Sequence, residues 1–209
     1  QKNISYKYIF LLIKPDIFLK KTSHFKNFIS QDSKIISCMA GIKLITICNN
    51  LGHKNVIRIM PNVMAKQNKS QTFVFAKNKK ILNRSFDKLI KSFGSVHYTS
   101  NEDQINIATS IFGSGPAFIA YLIKSYIEAA KNLSKKNQFK DIDLMNLFHN
   151  VLTANKNSKD LDFFLNSIAS KKGTTQAGVN FLKSQNINKI IYTTLDRAYK
   201  RAKEIGIEK

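Results

Sequence analysis

Residues Tyr8–Pro15, YIFLLIKP, decide how this chain folds. Tyr8 to Ile13 is continuously apolar, the pattern of a strand buried on both faces. Lys14-Pro15 closes the run, because proline has no amide to give to a central ladder. Asp16–Ile29 then places Ile17, Phe18, Phe25, Phe28 and Ile29 at helical spacing. The alternation repeats. Lys34–Ala40 reads as a strand closed by Gly41, and Ile42–Leu51 as a helix ended by Gly52. Val56–Met60 is a strand closed by Pro61. Thr72–Ala76 and Ser95–Thr99 are strands with a helix, Ile81–Phe93, between them. Strands alternating with helices predict a parallel sheet covered on both faces.

From Glu102 the pattern changes. Helical runs follow at 102–111, 116–133, 141–156, 160–168, 174–184 and 187–204, with polar connections at Asn132–Lys140 and Asn155–Lys159. The predicted fold class is therefore α/β followed by all-α, with domains at 1–100 and 101–209.

The chain carries 34 Lys and Arg against 13 Asp and Glu, a formal charge of +21. Such a balance raises nucleic acid as a partner. The distribution argues against it. The arginines are Arg58, Arg84, Arg197 and Arg201; the rest is lysine, spread evenly and mixed with Asn and Ile. That is the imprint of A+T-rich codons. Nucleic-acid binders concentrate charge, favour Arg and interleave aromatics. No apolar run reaches the roughly 18 residues of a membrane span, and the start, QKNISYKY, has no signal-peptide pattern. No membrane partner is expected. Cys38 and Cys48 sit in apolar surroundings as small buried residues, which fits a reducing cytoplasm. His24, His53, His97 and His149 lack metal-ligand spacing, so no metal is expected.

Several junctions offer chemistry. Lys14 follows a strand, where ligands of parallel sheets gather. Met39-Ala40-Gly41-Ile42 puts small residues at a second strand end, and Asn62 follows a third. Gly113-Ser114-Gly115-Pro116 reads as a helix start, with proline at the first helical position and amides open to an anion. Ser167–Gly178, SIASKKGTTQAG, reads as another. There Ser170, Gly173, Thr174 and Thr175 supply amides and hydroxyls suited to a small carboxylate, with Lys171 and Lys172 alongside. Taken alone, Lys14 reads better as a solvated lysine beside a strand-ending proline and Asn62 as turn chemistry, while the Gly113–Pro116 start reads equally well as a plain helix cap.

In order, these junctions resemble the pyrroline-5-carboxylate reductase family. FLLIKP is similar to its Val-Lys-Pro strand end, ISCMAGI to its Ala-Ala-Gly-Ile, and VIRIMPN to its Arg-x-Met-Pro-Asn. FGSVHY resembles a Phe-Gly-Ser/Lys-Val segment, GSGPAF resembles Gly-Ser-Gly-Pro-Ala-Tyr, and GTTQAG resembles Gly-Thr-Thr-x-Ala-Gly. The resemblance implies a Rossmann nucleotide-binding domain followed by a helical dimerisation domain. It implies hydride transfer from NADPH or NADH to the C=N bond of 1-pyrroline-5-carboxylate, giving L-proline. On matching positions it assigns Lys14, Pro15, Ala40, Gly41 and Asn62 to the cofactor. It assigns Asn62, Ser170, Gly173, Thr174 and Thr175 to the substrate. Thr175 is the catalytic residue it implies. A threonine hydroxyl is a poor acid, so its part is a hydrogen bond or the placing of a water.

The departures are specific. The family opens with Gly-x-Gly-x-x-Gly, which receives the pyrophosphate; these 209 residues hold no such motif. The Rossmann sheet is thus expected to be incomplete, without roughly its first two βα units, in a fragment or in the product of a gene lacking its start. The family's Met-Pro-Asn-Thr-Pro is Met-Pro-Asn-Val-Met here, and Phe112 replaces a small residue before Gly113. A Pro-Gly pair before Gly-Thr-Thr is replaced by Lys171-Lys172, and Lys172 would take a positive φ only at a cost. Two further readings stand beside the first. A β-hydroxyacid dehydrogenase would use a helical lysine, and Lys124 lies in such a helix. A non-catalytic helical module, dimerising or binding nucleic acid through charge, is the other.

Overall fold

The computed structural model describes residues 6–134 and 138–206. The elements run β1 (Tyr8–Leu11), α1 (Pro15–Lys20), α2 (Thr22–Lys26), β2 (Lys34–Ser37), α3 (Leu44–Leu51) and β3 (Val56–Met60). A 3-10 turn, Val63–Gln67, leads to β4 (Ser70–Phe75). A second, Lys79–Ile81, precedes α4 (Arg84–Lys91) and β5 (Gly94–Thr99). Then come α5 (Asp103–Ala108), a π turn (Thr109–Gly113), α6 (Gly115–Ser134), α7 (Asp141–Ala154) and α8 (Ser158–Ile168). The last helices are α9 (Thr174–Ser184) and α10 (Ile187–Glu204). The connection expected at Asn132–Lys140 lies partly outside the described residues.

Contacts group the chain into one unit of Gln1–Pro116 with Leu195–Lys209, and a second of Ala117–Thr194. This differs from a single division near residue 100. The helical chain leaves the sheet unit only within α6, and the last part of α10 returns to it.

In the first unit the five strands are ordered β1-β2-β3-β4-β5. β1–β2, β2–β3 and β4–β5 pair in parallel, whereas β3–β4 is antiparallel. The wholly parallel sheet expected from the sequence is corrected here, and the cause is loop length. Pro61–Lys69 holds only a 3-10 turn, while a parallel return needs a crossover of roughly a dozen residues or more. The β4–β5 link contains α4 and does return in parallel.

Alternation along the strands splits the core. Ile35 and Val56 face Phe18, Ile42, Ile47 and Leu51. Ile36, Ile57, Ile59 and Val74 face Ile81, Phe86 and Ile90. Both faces are covered, as the continuous apolar strands predict. The single helix expected over Asp16–Ile29 is instead two short ones broken at Lys21. The Thr22 hydroxyl donates to the Phe18 carbonyl at 2.7 Å, a local bond that competes with the helical ladder.

The second unit is different in kind. Among the described residues of 117–194 none is buried. Large apolar side chains such as Tyr121, Leu133, Phe163 and Phe181 stand open to solvent. Tyr126 meets Phe148 edge-on at 5.2 Å, and Lys131 pairs with Asp141. A helical layer needs another layer on which to bury its stripe.

Candidate functional site

Three neighbouring parallel strands, β1, β2 and β3, end on one side of the sheet, and three of the sequence-predicted positions follow those ends. Lys14 is exposed and is the N-cap residue of α1, with Pro15 at its first position. Ala40 is half-buried and packs against the Met60, Ile105 and Ala108 cluster. Asn62 is half-buried. Its side-chain oxygen accepts from the Met64 amide at 3.0 Å, and its own amide N–H donates to Ser70 Oγ at 3.0 Å. The Asn62 side chain thus caps a turn, and its Nδ2 is 3.4 Å from Gln71 Oε1.

Gly41 adopts φ +75°, and a Cβ there would lie 2.5 Å from the Ala202 carbonyl oxygen and 2.7 Å from the Gly206 amide nitrogen. The close backbone approach that the sequence suggested at this strand end is made by the end of α10. Gly206 is the reciprocal partner: its Cβ would meet the Gly41 carbonyl oxygen at 2.1 Å.

Next to Gly41 lies a cleft of about 560 Å³ lined by Gly41, Lys43, Arg58, Glu102, Asp103 and Lys203, among others. Sequence reasoning missed its centre. Arg58 is fully buried in β3, and its Nη1 donates to Glu102 Oε1 at 2.7 Å. The same Glu102 oxygen accepts from the Leu44 amide at 2.6 Å. Arg58 Nε and Nη2 and Asn106 Oδ1 are buried without a partner among the described residues. Burial draws the Arg58 guanidinium below its ordinary range, and the hydrogen bond and charge of Glu102 oppose that shift. Asp103 accepts from Tyr199 Oη at 2.5 Å and from Asn106 Nδ2 at 3.0 Å. Desolvation raises its carboxyl, but these bonds, with Lys203 and Arg58 nearby, outweigh it and hold the pKa below the usual value. A signal for the pair was present: one arginine inside the apolar strand VIRIM needs a buried partner.

The Gly113–Pro116 segment is not the free helix start that its sequence suggested. α5 runs through the π turn into α6, and the Ser114 amide donates to the Thr109 carbonyl at 2.9 Å. The extra residue of a π turn re-spaces the ladder around a proline that has no amide to give. Phe112 uses the space to reach Phe73, with ring centroids 5.1 Å apart.

In the second unit, Gly173 is the N-cap residue of α9, and no side chain caps that helix. Its first-turn amides therefore have no side-chain acceptor among the described residues. Thr174 and Ser170 are exposed, and Thr175 is half-buried. Gly173 is needed locally, since a Cβ there would lie 2.2 Å from Ser170 Oγ. Lys172 adopts φ +63°, held by its amide donating to Gln176 Oε1 at 2.7 Å. A lysine in the left-handed region costs about 1–2 kcal/mol, partly offset for glycine by chain entropy. Lys172→Gly is expected to stabilise the protein by about 0.5–1 kcal/mol, read as a higher urea midpoint with an unchanged slope. An unchanged or lower midpoint would contradict this.

Lys124 is 70% exposed and sits 3.4 Å from Glu128, an ordinary surface pair one turn apart. The Cys38 thiol is pushed up to about 12 by burial, which leaves it unreactive. No group of three or more metal-ligating side chains is found among the described residues.

A mostly parallel sheet covered by helices on both faces, continued by a long helical segment, is a Rossmann-like α/β layout followed by a helical region. Comparison with known proteins then narrows the class. Residues 102–205 match the family model "Pyrroline-5-carboxylate reductase dimerisation". The pyrroline-5-carboxylate reductase of Staphylococcus haemolyticus is 32% identical over 207 residues, covering 95% of this chain and 74% of the relative. That of Staphylococcus aureus is 33% identical over 206 residues with the same coverage. The Coxiella burnetii pyrroline-5-carboxylate reductase structure superposes with a TM-score of 0.77 at 25% identity, covering 95% of this chain and 76% of that one. A Plasmodium falciparum pyrroline carboxylate reductase with NADP bound gives 0.79 at 21% identity, covering 96% and 77%. This chain belongs to the pyrroline-5-carboxylate reductase family. One continuous helix, Asp103–Ser134, is long and apolar enough to cross a membrane by length and composition. It was not foreseen from the sequence, and it lies wholly within the segment matched by the dimerisation model.

Proposed function

We propose that this protein reduces 1-pyrroline-5-carboxylate to L-proline with NADPH or NADH. The observation that carries the reading is the uncapped Gly-Thr-Thr start of α9, inside the segment that matches the family model. Its amides and partial positive charge suit the substrate carboxylate, with Ser170, Gly173 and Thr174 shaping the cradle. Thr175 Oγ hydrogen-bonds the imine nitrogen or a water beside it, and so orients the C=N carbon. When bound, NADPH or NADH supplies the hydride. Lys14, Pro15, Ala40 and Asn62 stand accessible at the strand ends and fit a dinucleotide there. Gly41 serves the same loop by its positive φ rather than by an open backbone face. Asn62, already fixed by its cap, offers a rigid amide edge to the nicotinamide and substrate.

Thr175→Ala is expected to lower kcat by about 10²-fold, the scale of losing one well-placed hydrogen-bonding or proton-handling group, with little change in dinucleotide KM. A steady-state comparison with wild type at saturating imine checks it; an unchanged kcat would remove Thr175 from the chemistry.

The protein self-associates through the 117–194 helices. The support is the exposed apolar surface of a unit in which none of the described residues is buried. Phe163, 78% exposed in the single chain, is a suitable probe. Phe163→Asp is expected to weaken self-association at least tenfold, seen by sedimentation equilibrium; an unchanged association constant would place the interface elsewhere. The location in this reading is the cytoplasm, and nucleic acid is not a partner.

A further inference from the structure

We propose that Glu102 is a positioning residue for dinucleotide binding, because it ties the Ala40–Gly41 segment and the Asn62 segment into one rigid edge. This rests on the assignment of those segments to the dinucleotide.

The tie is made by a single oxygen. Glu102 Oε1 accepts from the Leu44 amide at 2.6 Å and from Arg58 Nη1 at 2.7 Å. Leu44 opens α3, whose N-cap residue, Lys43, gives no side-chain cap. Glu102 therefore does the capping from a distant point in the chain, and its charge suits a helix N-terminus. That helix follows the Ala40–Gly41 turn directly. Arg58 lies in β3, and Asn62 stands just beyond the carboxyl end of that strand.

Among the described residues Arg58 has no second hydrogen bond: its Nε and Nη2 have no partner, so the bond to Glu102 sets the pose of its guanidinium while Asp103 adds only charge. Asp103, the next residue, is bonded to Tyr199 on α10, and α10 ends against Gly41. The Glu102-Asp103 pair thus holds β3, the start of α3 and the end of α10 from one point. Rigid placement of groups that contact a ligand is where such indirect bonds take effect.

The test compares dinucleotide affinity and kinetics of the full chain. Two variants separate positioning from folding. Glu102→Gln keeps an acceptor for the Leu44 amide and removes the charge. Arg58→Met/Glu102→Ala removes both ties and leaves no buried charge unpaired. A carboxylate variant elsewhere in the unit, Asp87→Asn, is the control; Asp87 pairs with Lys91 on α4 and accepts from Tyr98 on β5 rather than from the Ala40–Gly41 or Asn62 segments. The probes are NADPH and NADH, titrated by their own fluorescence, and melting curves establish that each variant is folded.

The double variant is expected to weaken dinucleotide binding about tenfold and to raise its KM equally, with kcat within about threefold of wild type. Glu102→Gln is expected to lose less than half of that effect on a logarithmic scale, and Asp87→Asn nothing. Equal dinucleotide affinity in folded double variant and wild type would overturn the proposal, including the case where neither binds. An equal fall in kcat would overturn it too, since it would mark general loosening. Wild-type protein that binds dinucleotide but does not reduce the imine would count against the assigned reaction alone, because the binding titration decides the role of Glu102 by itself.

Discussion

Replacing Glu102 with alanine is expected to lower the unfolding free energy by about 3–5 kcal/mol, the cost of leaving a buried charge without its partner. Arg58 has side-chain exposure of 1%, and Glu102 is its one charged partner at 2.7 Å. A guanidinium cannot escape by losing its proton, since it stays charged in proteins. With two nitrogens already unpartnered among the described residues, removing Glu102 strips the remaining hydrogen bond from a buried guanidinium. The Leu44 amide loses its acceptor at the same time. Urea unfolding measures the effect. A loss below about 1 kcal/mol, the range of exposed pairs, would show that solvent reaches Arg58. The compensated variant, Arg58→Met/Glu102→Ala, is expected to recover most of the loss, because a packed apolar side chain often equals a buried pair in stability.

Gly41→Ala has the second large effect. Two costs add at this position. The backbone at φ +75° disfavours any side chain by about 1–2 kcal/mol. The new methyl would also overlap Ala202 O and Gly206 N, at 2.5 and 2.7 Å. Both are main-chain atoms that no rotamer change can move, so overpacking adds about 1–3 kcal/mol. The expected loss is about 2–5 kcal/mol, or release of the end of α10 if that is cheaper. Hydrogen exchange distinguishes the two: release speeds exchange of the amides near Gly206, whereas strain with the contact intact lowers stability throughout. Wild-type stability together with wild-type exchange would contradict the contact.

The sequence carried the local pattern well where side-chain period and terminators agreed. Val56–Met60 is a strand with the bounds read from VIRIM, because an apolar β-branched run ends at a proline. Gly52 ends α3 in the left-handed region, as a C-terminal glycine should. The strain at Lys172 was legible through the family resemblance, which puts a glycine at that position, and its φ is +63°. What the sequence did not carry is direction and distance. The antiparallel turn into β4 depends on the length of one connection, while periodicity is the same for both strand senses. The π turn at Thr109–Gly113 was hidden because glycine and proline mark a helix start and a re-spaced helix alike.

The site was half legible for the same reason. Lys14, Ala40 and Asn62 could be placed from strand ends alone. The Glu102–Arg58 bond joins residues far apart in the chain, and only the sheet brings them together. Gly41 was read as room for a ligand, yet its neighbour is α10, from the opposite end of the sequence. Local chemistry names a residue that needs a partner; topology decides which one it finds.

The most direct test of the account is to incubate the purified chain with 1-pyrroline-5-carboxylate and NADPH or NADH, and to measure proline alongside dinucleotide oxidation. The account predicts proline formed in a one-to-one ratio with dinucleotide oxidised, strictly dependent on the imine. Dinucleotide bound by the protein, with no proline formed above the uncatalysed rate, would contradict it.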